Sequence, residues 1–251
     1  KTIEHLVKRY GSHPAVTRWQ IDNEPNYAEK VDVLYDFNPF TLQDARAWLK
    51  ERYGSLEALN EAWFGAFWSQ AFNEWDQVWE THKPLVNPQS FLDFQRWRQF
   101  TVADFVQVQA DLLRRHAPEV LIGTNIPEVG IHFSTCIAQD YWAQSAGLDW
   151  VGTDLYAANG KREQDLAALR YSCDLMRSAA GPAQFLIAET QGGAHERSWK
   201  AGFAAEGWSV DYLQQSFEVY AERGAEEIWA FMWRPTLAGQ EMGMNGVKDL
   251  D

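Results

Sequence analysis

Cysteine is nearly absent from this 251-residue chain: only Cys136 and Cys173 occur, far apart and in no metal-ligand spacing. Buried or idle thiols are therefore the reading of both, rather than a disulfide or a nucleophile. The six histidines are scattered without paired spacing, so no metal site can be read from them. No run of about 18 apolar residues occurs, which by pattern excludes a membrane-spanning helix. There is no glycine-rich turn after a strand to cradle a phosphate, no low-complexity stretch and no linker. Basic residues are in deficit, with 22 Lys and Arg against 35 Asp and Glu and a net charge of −13. Such a surface repels nucleic acid and anionic membranes and argues against both as partners. No signal peptide is visible, so a cytoplasmic location is expected. Lys1 stands inside what reads as a helix, so the natural N-terminus is expected upstream.

What is present is a large apolar and aromatic content: 46% hydrophobic residues, 14% aromatic and thirteen Trp. That suffices for one sizeable core. Flat apolar rings also line clefts that stack on the C–H face of a pyranose. A helix over residues 2–9 is closed by Gly11 and Pro14. Apolar runs predict strands at 15–22, 119–125, 148–156, 183–189 and 227–233. Between them lie predicted helices at 41–53, 90–115, 138–146, 164–179 and 209–223. Thr41 and Ser90 are the expected N-caps of the first two, Gly54 ends the first, and a short helix starts at Ser55. In 90–115 the residues Phe94, Trp97, Thr101, Phe105, Val108 and Leu112 keep helical spacing and mark the expected buried face. Trp63 to Trp79 is aromatic without a regular period and reads as an excursion packed over one end of the domain.

The strands are continuous apolar runs rather than alternating ones, as expected where both faces are covered. Repeated β–α units imply a parallel sheet with right-handed crossovers. Each strand ends in polar or aromatic residues: Asn23-Glu24, Thr124-Asn125, Asp154 and Tyr156, Glu189-Thr190-Gln191, Trp233-Arg234. Chemistry spread over successive strand tips fits a (β/α)8 barrel better than a doubly wound sheet. Five strands do not close such a barrel. The expected fold is therefore α/β, a partial TIM (β/α)8 barrel in which residues 1–251 form the C-terminal portion of one domain. The chain is organised around Arg18 to Pro25, a strand that must stop by Pro25 and presents Asn23 and Glu24 at its tip. A surface Glu at an ordinary strand end is the alternative for Asn-Glu-Pro alone.

Arg9-Tyr10-Gly11-Ser12-His13-Pro14-Ala15-Val16, followed by Trp19-Gln20-Ile21-Asp22-Asn23-Glu24, resembles the fourth-strand signature of glycoside hydrolase family 42, the bacterial β-galactosidases. Further stretches follow in the family's order: Trp48-Leu49-Lys50, Leu59-Asn60-Glu61-Ala62-Trp63, Phe67-Trp68-Ser69-Gln70 and Thr124-Asn125. Asp154-Leu155-Tyr156, Ala188-Glu189-Thr190-Gln191, Trp233-Arg234 and Gly239-Gln240-Glu241 complete the series, which covers nearly the whole chain. The resemblance implies that the five strands are the fourth to eighth of the barrel, with the first three β/α units absent.

By the same resemblance Glu24 is the acid/base and Glu189 the nucleophile of a retaining glycosidase. Retention requires two carboxyls about 5–5.5 Å apart, one protonated and one ionised. For Glu189 the alternative is a strand-end Glu in an ion pair. The resemblance also implies Asn23 on the sugar 2-hydroxyl, Tyr156 donating to the nucleophile, Trp199 and Trp233 against the sugar ring, Glu241 on its hydroxyls, and Asn125 among the substrate contacts. Packing or solvated roles remain open for each of these. A carbohydrate substrate is implied, no cofactor, and a homo-oligomer is compatible. Residues 26–40 lack the cysteine cluster that binds zinc in many family members, so no metal is expected. Pro25-Asn26 after Glu24, and Met244-Asn245 where the family has a His, depart from its pattern at the sugar-binding rim. A β-D-galactoside is the expected substrate, with agar-, galactan- or glucan-derived oligosaccharides as alternatives. A non-catalytic carbohydrate-binding barrel and a metal-dependent hydrolase are the rival classes. Two carboxylates on strand tips weigh against the first, and the absent ligand spacing against the second.

Overall fold

The computed structural model describes residues 1–27, 36–80, 86–127, 139–156, 162–193, 210–236 and 246–247. Five strands pair in parallel and in sequence order. They are β1 (Arg18–Gln20), β2 (Leu121–Ile126), β3 (Trp150–Asp154), β4 (Gln184–Gln191) and β5 (Glu227–Phe231). An order without reversal means that every right-handed crossover lays its helix on the same face. That is the wall of a (β/α)8 barrel rather than a doubly wound sheet, whose order reverses at a switch point.

The sheet is strongly curled. A flat sheet of five strands would hold its edges roughly 19 Å apart. Yet Arg18 on β1 donates from Nη2 to Glu227 Oε1 on β5 at 2.7 Å, across the face opposite the helices. Its guanidinium also lies 5.9 Å from the Trp150 ring and 5.6 Å from the Trp229 ring. Gly123 on β2 makes room for this layer, because a Cβ there would stand 2.2 Å from the Trp150 indole. The partial barrel expected from the sequence is the observed architecture.

The chain gathers into two compact units. The first comprises Lys1–Pro25, Asp104–Ile131 and Tyr141–Asp251, and carries all five strands. Its core lies on the convex side. Ile122, Ile126, Val151, Phe185 and Ile187 pack there against helices α1 (Thr2–Tyr10), α6 (Arg162–Ala180) and α7 (Val210–Glu222) and the second half of α4 (Pro88–His116). A small helix α5 (Tyr141–Ser145) follows β2. Cys173 is buried in this core, where desolvation pushes its thiol up to about 12; Cys136 lies outside the described residues.

The second unit, Asn26–Ala103 with His132–Asp140, contains the long excursion after β1. Its core is Ala45, Leu49, Leu59, Trp63, Val78, Phe94 and Trp97. Helix α2 (Pro39–Tyr53) is capped by Asn38, whose Oδ1 accepts from Phe40 N and Thr41 N. The expected cap Thr41 instead sits in the first turn with its hydroxyl on Asp36. Pro39 explains the difference, since proline fits the first helical position and moves the start upstream. Gly54, at φ 73°, ends the helix as expected. Ser55 caps α3 (Leu56–Ala62) through Ala58 N. Trp63 to Trp79 holds only two 3₁₀ turns, Phe67–Ser69 and Trp75–Gln77.

Helix α4 also starts earlier than Ser90, which donates its N–H to Asn87 Oδ1. Its expected buried face is corrected in the second half: Phe105 and Val108 are exposed, while Val102, Val106, Ala110 and Leu113 are buried. Phe94 and Trp97 serve one core and Val106, Ala110 and Leu113 the other, so no single stripe runs through the helix. No helix among the described residues is long and apolar enough to cross a membrane.

Candidate active site

Strand β1 ends sooner than the apolar run suggests, because the chain leaves the extended region at Asp22. Asp22 and Glu24 adopt φ values of 56° and 49°, left-handed backbone in non-glycine residues. Each such residue costs about 1–3 kcal/mol and persists only where its surroundings hold it. Here the holding groups are visible. Thr124 Oγ1 donates to Ile21 O at 2.6 Å, and Gln20 Nε2 donates to Asp22 O at 3.2 Å. Asn23 N donates to Asp22 Oδ1, and the buried Gln144 on α5 donates from Nε2 to Pro25 O at 3.0 Å. The turn that carries Glu24 is thus fastened from β1, β2 and α5.

Alternation along the strands puts Gln20, Asn125 and Asp154 on the concave face, above the layer formed by Arg18 and Trp150. Asn125, fully buried on β2, is the hub of this upper layer. Its Oδ1 accepts from Gln20 Nε2 at 2.9 Å and from the Glu24 backbone N–H at 3.1 Å. Its Nδ2 shares two N–H groups among three acceptors, Asp154 Oδ2 at 2.8 Å, Asn23 Oδ1 at 3.0 Å and Glu189 Oε1 at 3.2 Å. One amide thereby ties the backbone of Glu24 to the carboxyl of Glu189, although 164 positions of chain separate the two residues.

On β4 the pairing with β3 shifts register at Thr153/Asp154, and that with β5 between Ile187 and Thr190. Such irregularities re-aim side chains at strand ends, and here Glu189 comes opposite Asp154. Glu189 is half-buried and accepts on both oxygens, from Asn125 on Oε1 and from the Tyr156 hydroxyl on Oε2 at 2.7 Å. An ionised carboxylate, which only accepts, suits that arrangement. Burial first, and then the Glu189 charge, raises the pKa of Tyr156, so the phenol keeps its proton and remains a donor. Asp154, 1% exposed, stands close enough to the Glu24 carboxyl for the two negative charges to oppose each other. Burial, then the charges of Glu189 and Glu24, push its pKa up to about 10. It holds a proton at neutral pH.

Of the residues singled out from the sequence, Glu24, Asn23, Asn125, Tyr156 and Glu189 meet at this layer. Asn23 is exposed, with Oδ1 held by Asn125 and Gln20 and its NH2 group without a partner among the described residues. Asn125 spends both polar ends on protein groups, which makes it a brace for the two glutamates. Trp233 lies just beyond β5 with 64% of its surface exposed. Trp199 and Glu241 lie outside the described residues. Sequence reasoning assigns no role to Gln20 or Asp154. The available signal is alternation: Asp154 shares the face of Trp150, and Gln20 that of Arg18. Among the described residues, no group of three or more His, Cys, Asp and Glu is arranged to hold a metal ion.

The model of the Glyco_hydro_42 family, described as beta-galactosidase, matches residues 1–251. The chain is 30% identical over 246 residues to a beta-galactosidase of Arthrobacter sp., covering 94% of this chain and 32% of that protein. To beta-galactosidase BgaA of Thermus sp. it is 32% identical over 266 residues, covering 96% of this chain and 38% of that protein. The solved beta-galactosidase of the psychrophilic Marinomonas ef1 superposes with a TM-score of 0.82 at 27% identity, over 98% of this chain and 38% of that one. The chain spans about a third of the length of the curated relatives it matches.

Proposed function

The chain belongs to glycoside hydrolase family 42, and from that premise we propose that it carries the two catalytic carboxyls of a retaining β-galactosidase. In the first step a Glu189 carboxylate oxygen attacks the anomeric carbon. The bond from that carbon to the leaving oxygen breaks, and Glu24 gives its proton to that oxygen. In the second step water attacks the same carbon, Glu24 takes the water's proton, and the bond to Glu189 breaks. Both partners end as they began, and the sugar keeps its β configuration.

The observation that carries this reading is the Asn125 amide, which joins the Glu24 backbone to the Glu189 carboxyl. Tyr156 fixes the second oxygen of the nucleophile, and Gln20 and Gln144 fix the turn under the acid. The amide NH2 of Asn23 is the donor assigned to the sugar 2-hydroxyl. Trp199, Trp233 and Glu241 are assigned to the galactose rim by family resemblance. The relatives it matches are beta-galactosidases, which favours galactose over the other sugars.

The test uses the complete protein with aryl β-D-galactoside, β-D-glucoside and β-D-xyloside. The galactoside is expected to be cleaved fastest, and Glu189→Gln is expected to lower its turnover about 10⁴-fold or more while the fold is kept. Preference for another sugar overturns the galactose assignment. Substantial residual activity in Glu189→Gln overturns the mechanism.

A further inference from the structure

Asp154 has no part in the two-carboxyl mechanism, yet it is the most buried acid of this layer. Four elements face it: Glu24 from the turn after β1, Asn125 from β2, Tyr156 just beyond its own strand, and Glu189 from β4. Two of these are carboxyls, and the Asn125 amide and the protonated Tyr156 phenol are neutral. Neighbouring carboxyls buried together favour a proton on one of them, since ionised carboxyls repel each other and can only accept. Asp154 Oδ2 receives the Asn125 N–H at 2.8 Å. Its Oδ1 meets no N–H or O–H donor among the described residues. A buried carboxylate needs donors on both oxygens, whereas a carboxylic acid does not. Asp154 is the drier of the pair, so once Glu24 has given up its own proton the one that is left stays on Asp154.

We propose that Asp154 is a positioning residue of the reaction, a neutral carboxylic acid that donates a hydrogen bond to Glu24 throughout the cycle. The inference rests on the reading of Glu24 as acid/base. When Glu24 delivers its proton to the leaving oxygen, a carboxylate is left in a crowded acidic layer. The Asp154 O–H stabilises that carboxylate and holds it in place until it takes a proton from water. Asp154 itself neither gains nor loses a proton in either step.

The experiment compares Asp154→Asn and Asp154→Ala with wild type in the complete protein. Asn keeps an acceptor for Asn125 and an N–H donor for Glu24, whereas Ala keeps neither. Thermal melts confirm that each variant is folded. Asp154→Asn is expected to stay within about tenfold of wild-type kcat/KM and to keep the wild-type alkaline limb of the pH profile. Asp154→Ala is expected to fall further and to carry that limb upward by about one pH unit, because the ionised Glu24 has lost its donor. A folded Asp154→Asn as inactive as Asp154→Ala would mean that the residue works ionised, and would overturn the proposal. So would an unmoved alkaline limb in a folded Asp154→Ala.

Infrared spectroscopy reads the proton without any substrate. Wild type is expected to show a protonated carboxyl band at neutral pH that is missing in Asp154→Asn. A spectrum without that band overturns the proposal. A band present in a protein that cleaves no aryl glycoside upholds the protonated acid and overturns the hydrolase reading instead.

Discussion

Two acids, one in each unit, are almost equally removed from water and are held in opposite ways. Glu80, 2% exposed, is gripped by both guanidinium arms of Arg98, with Nη1 2.8 Å from Oε1. The rings of Tyr27, Phe37 and Trp97 stand within 6.0 Å of that guanidinium. Asp93 in the same unit receives the Tyr53 hydroxyl, Trp63 Nε1 and Arg96 Nη1. Asp154, in the unit that carries the strands, faces the carboxyls of Glu24 and Glu189. Where a buried acid is scaffold, this chain supplies a cation and a full set of donors. Where it belongs to the chemistry, the electrostatic conflict is left standing and is relieved by a proton. Burial alone does not separate the two cases, but the company each acid keeps does.

The isosteric amide separates them experimentally, with the larger effect at the scaffold. Glu80→Gln removes the charge that compensates the fully buried Arg98. It is expected to cost about 3–5 kcal/mol in urea unfolding, as when one partner of a buried pair is removed. A loss below about 1 kcal/mol would mean that Glu80 is no more than a surface-like ion pair and not a compensated buried charge.

Asp154→Asn is expected to differ in sign and in pH dependence. Asp154 is protonated in the folded chain up to about 10, against an ordinary aspartate value of 3.8. Between those values the folded chain binds more protons than the unfolded one, so raising the pH favours unfolding. The stability associated with this group is complete below the lower value and is lost as pH rises through the window. Asp154→Asn lacks that term. Its stability relative to wild type is therefore expected to improve steadily from pH 5 to pH 8, by at most about 1.4 kcal/mol per pH unit. Urea titrations across that range provide the check, and a pH-independent difference would contradict the assignment.

The five strands are legible in the sequence because each lies in a short, largely apolar run, and Glu24 and Glu189 are legible because such runs end at them. The early end of β1 is not. It depends on Thr124, about a hundred residues away, taking the carbonyl of Ile21, and on left-handed turns at Asp22 and Glu24 that no local pattern announces. Nor does sequence reveal that Asn125 is fully buried and shared among five partners, since an Asn at a strand tip reads as a rim residue. Asp154 is half legible: alternation from Trp150 gives its face, but its proton depends on neighbours brought in from β1 and β4. Helix α4 shows the same limit in an apolar setting. Its spacing is correct, but which residues are buried changes where the helix passes from one core to the other.

In the proposed reaction Glu189 bonds to the sugar while Glu24 serves it as acid and base. A slow-turnover 2-deoxy-2-fluoro-β-galactoside with an activated leaving group would accumulate that covalent species in the complete protein. Mass spectrometry of the digested adduct is expected to find one glycosyl group, on the peptide that contains Glu189. A glycosyl group on any other residue, or no adduct from a protein that still turns the aryl galactoside over, would contradict it.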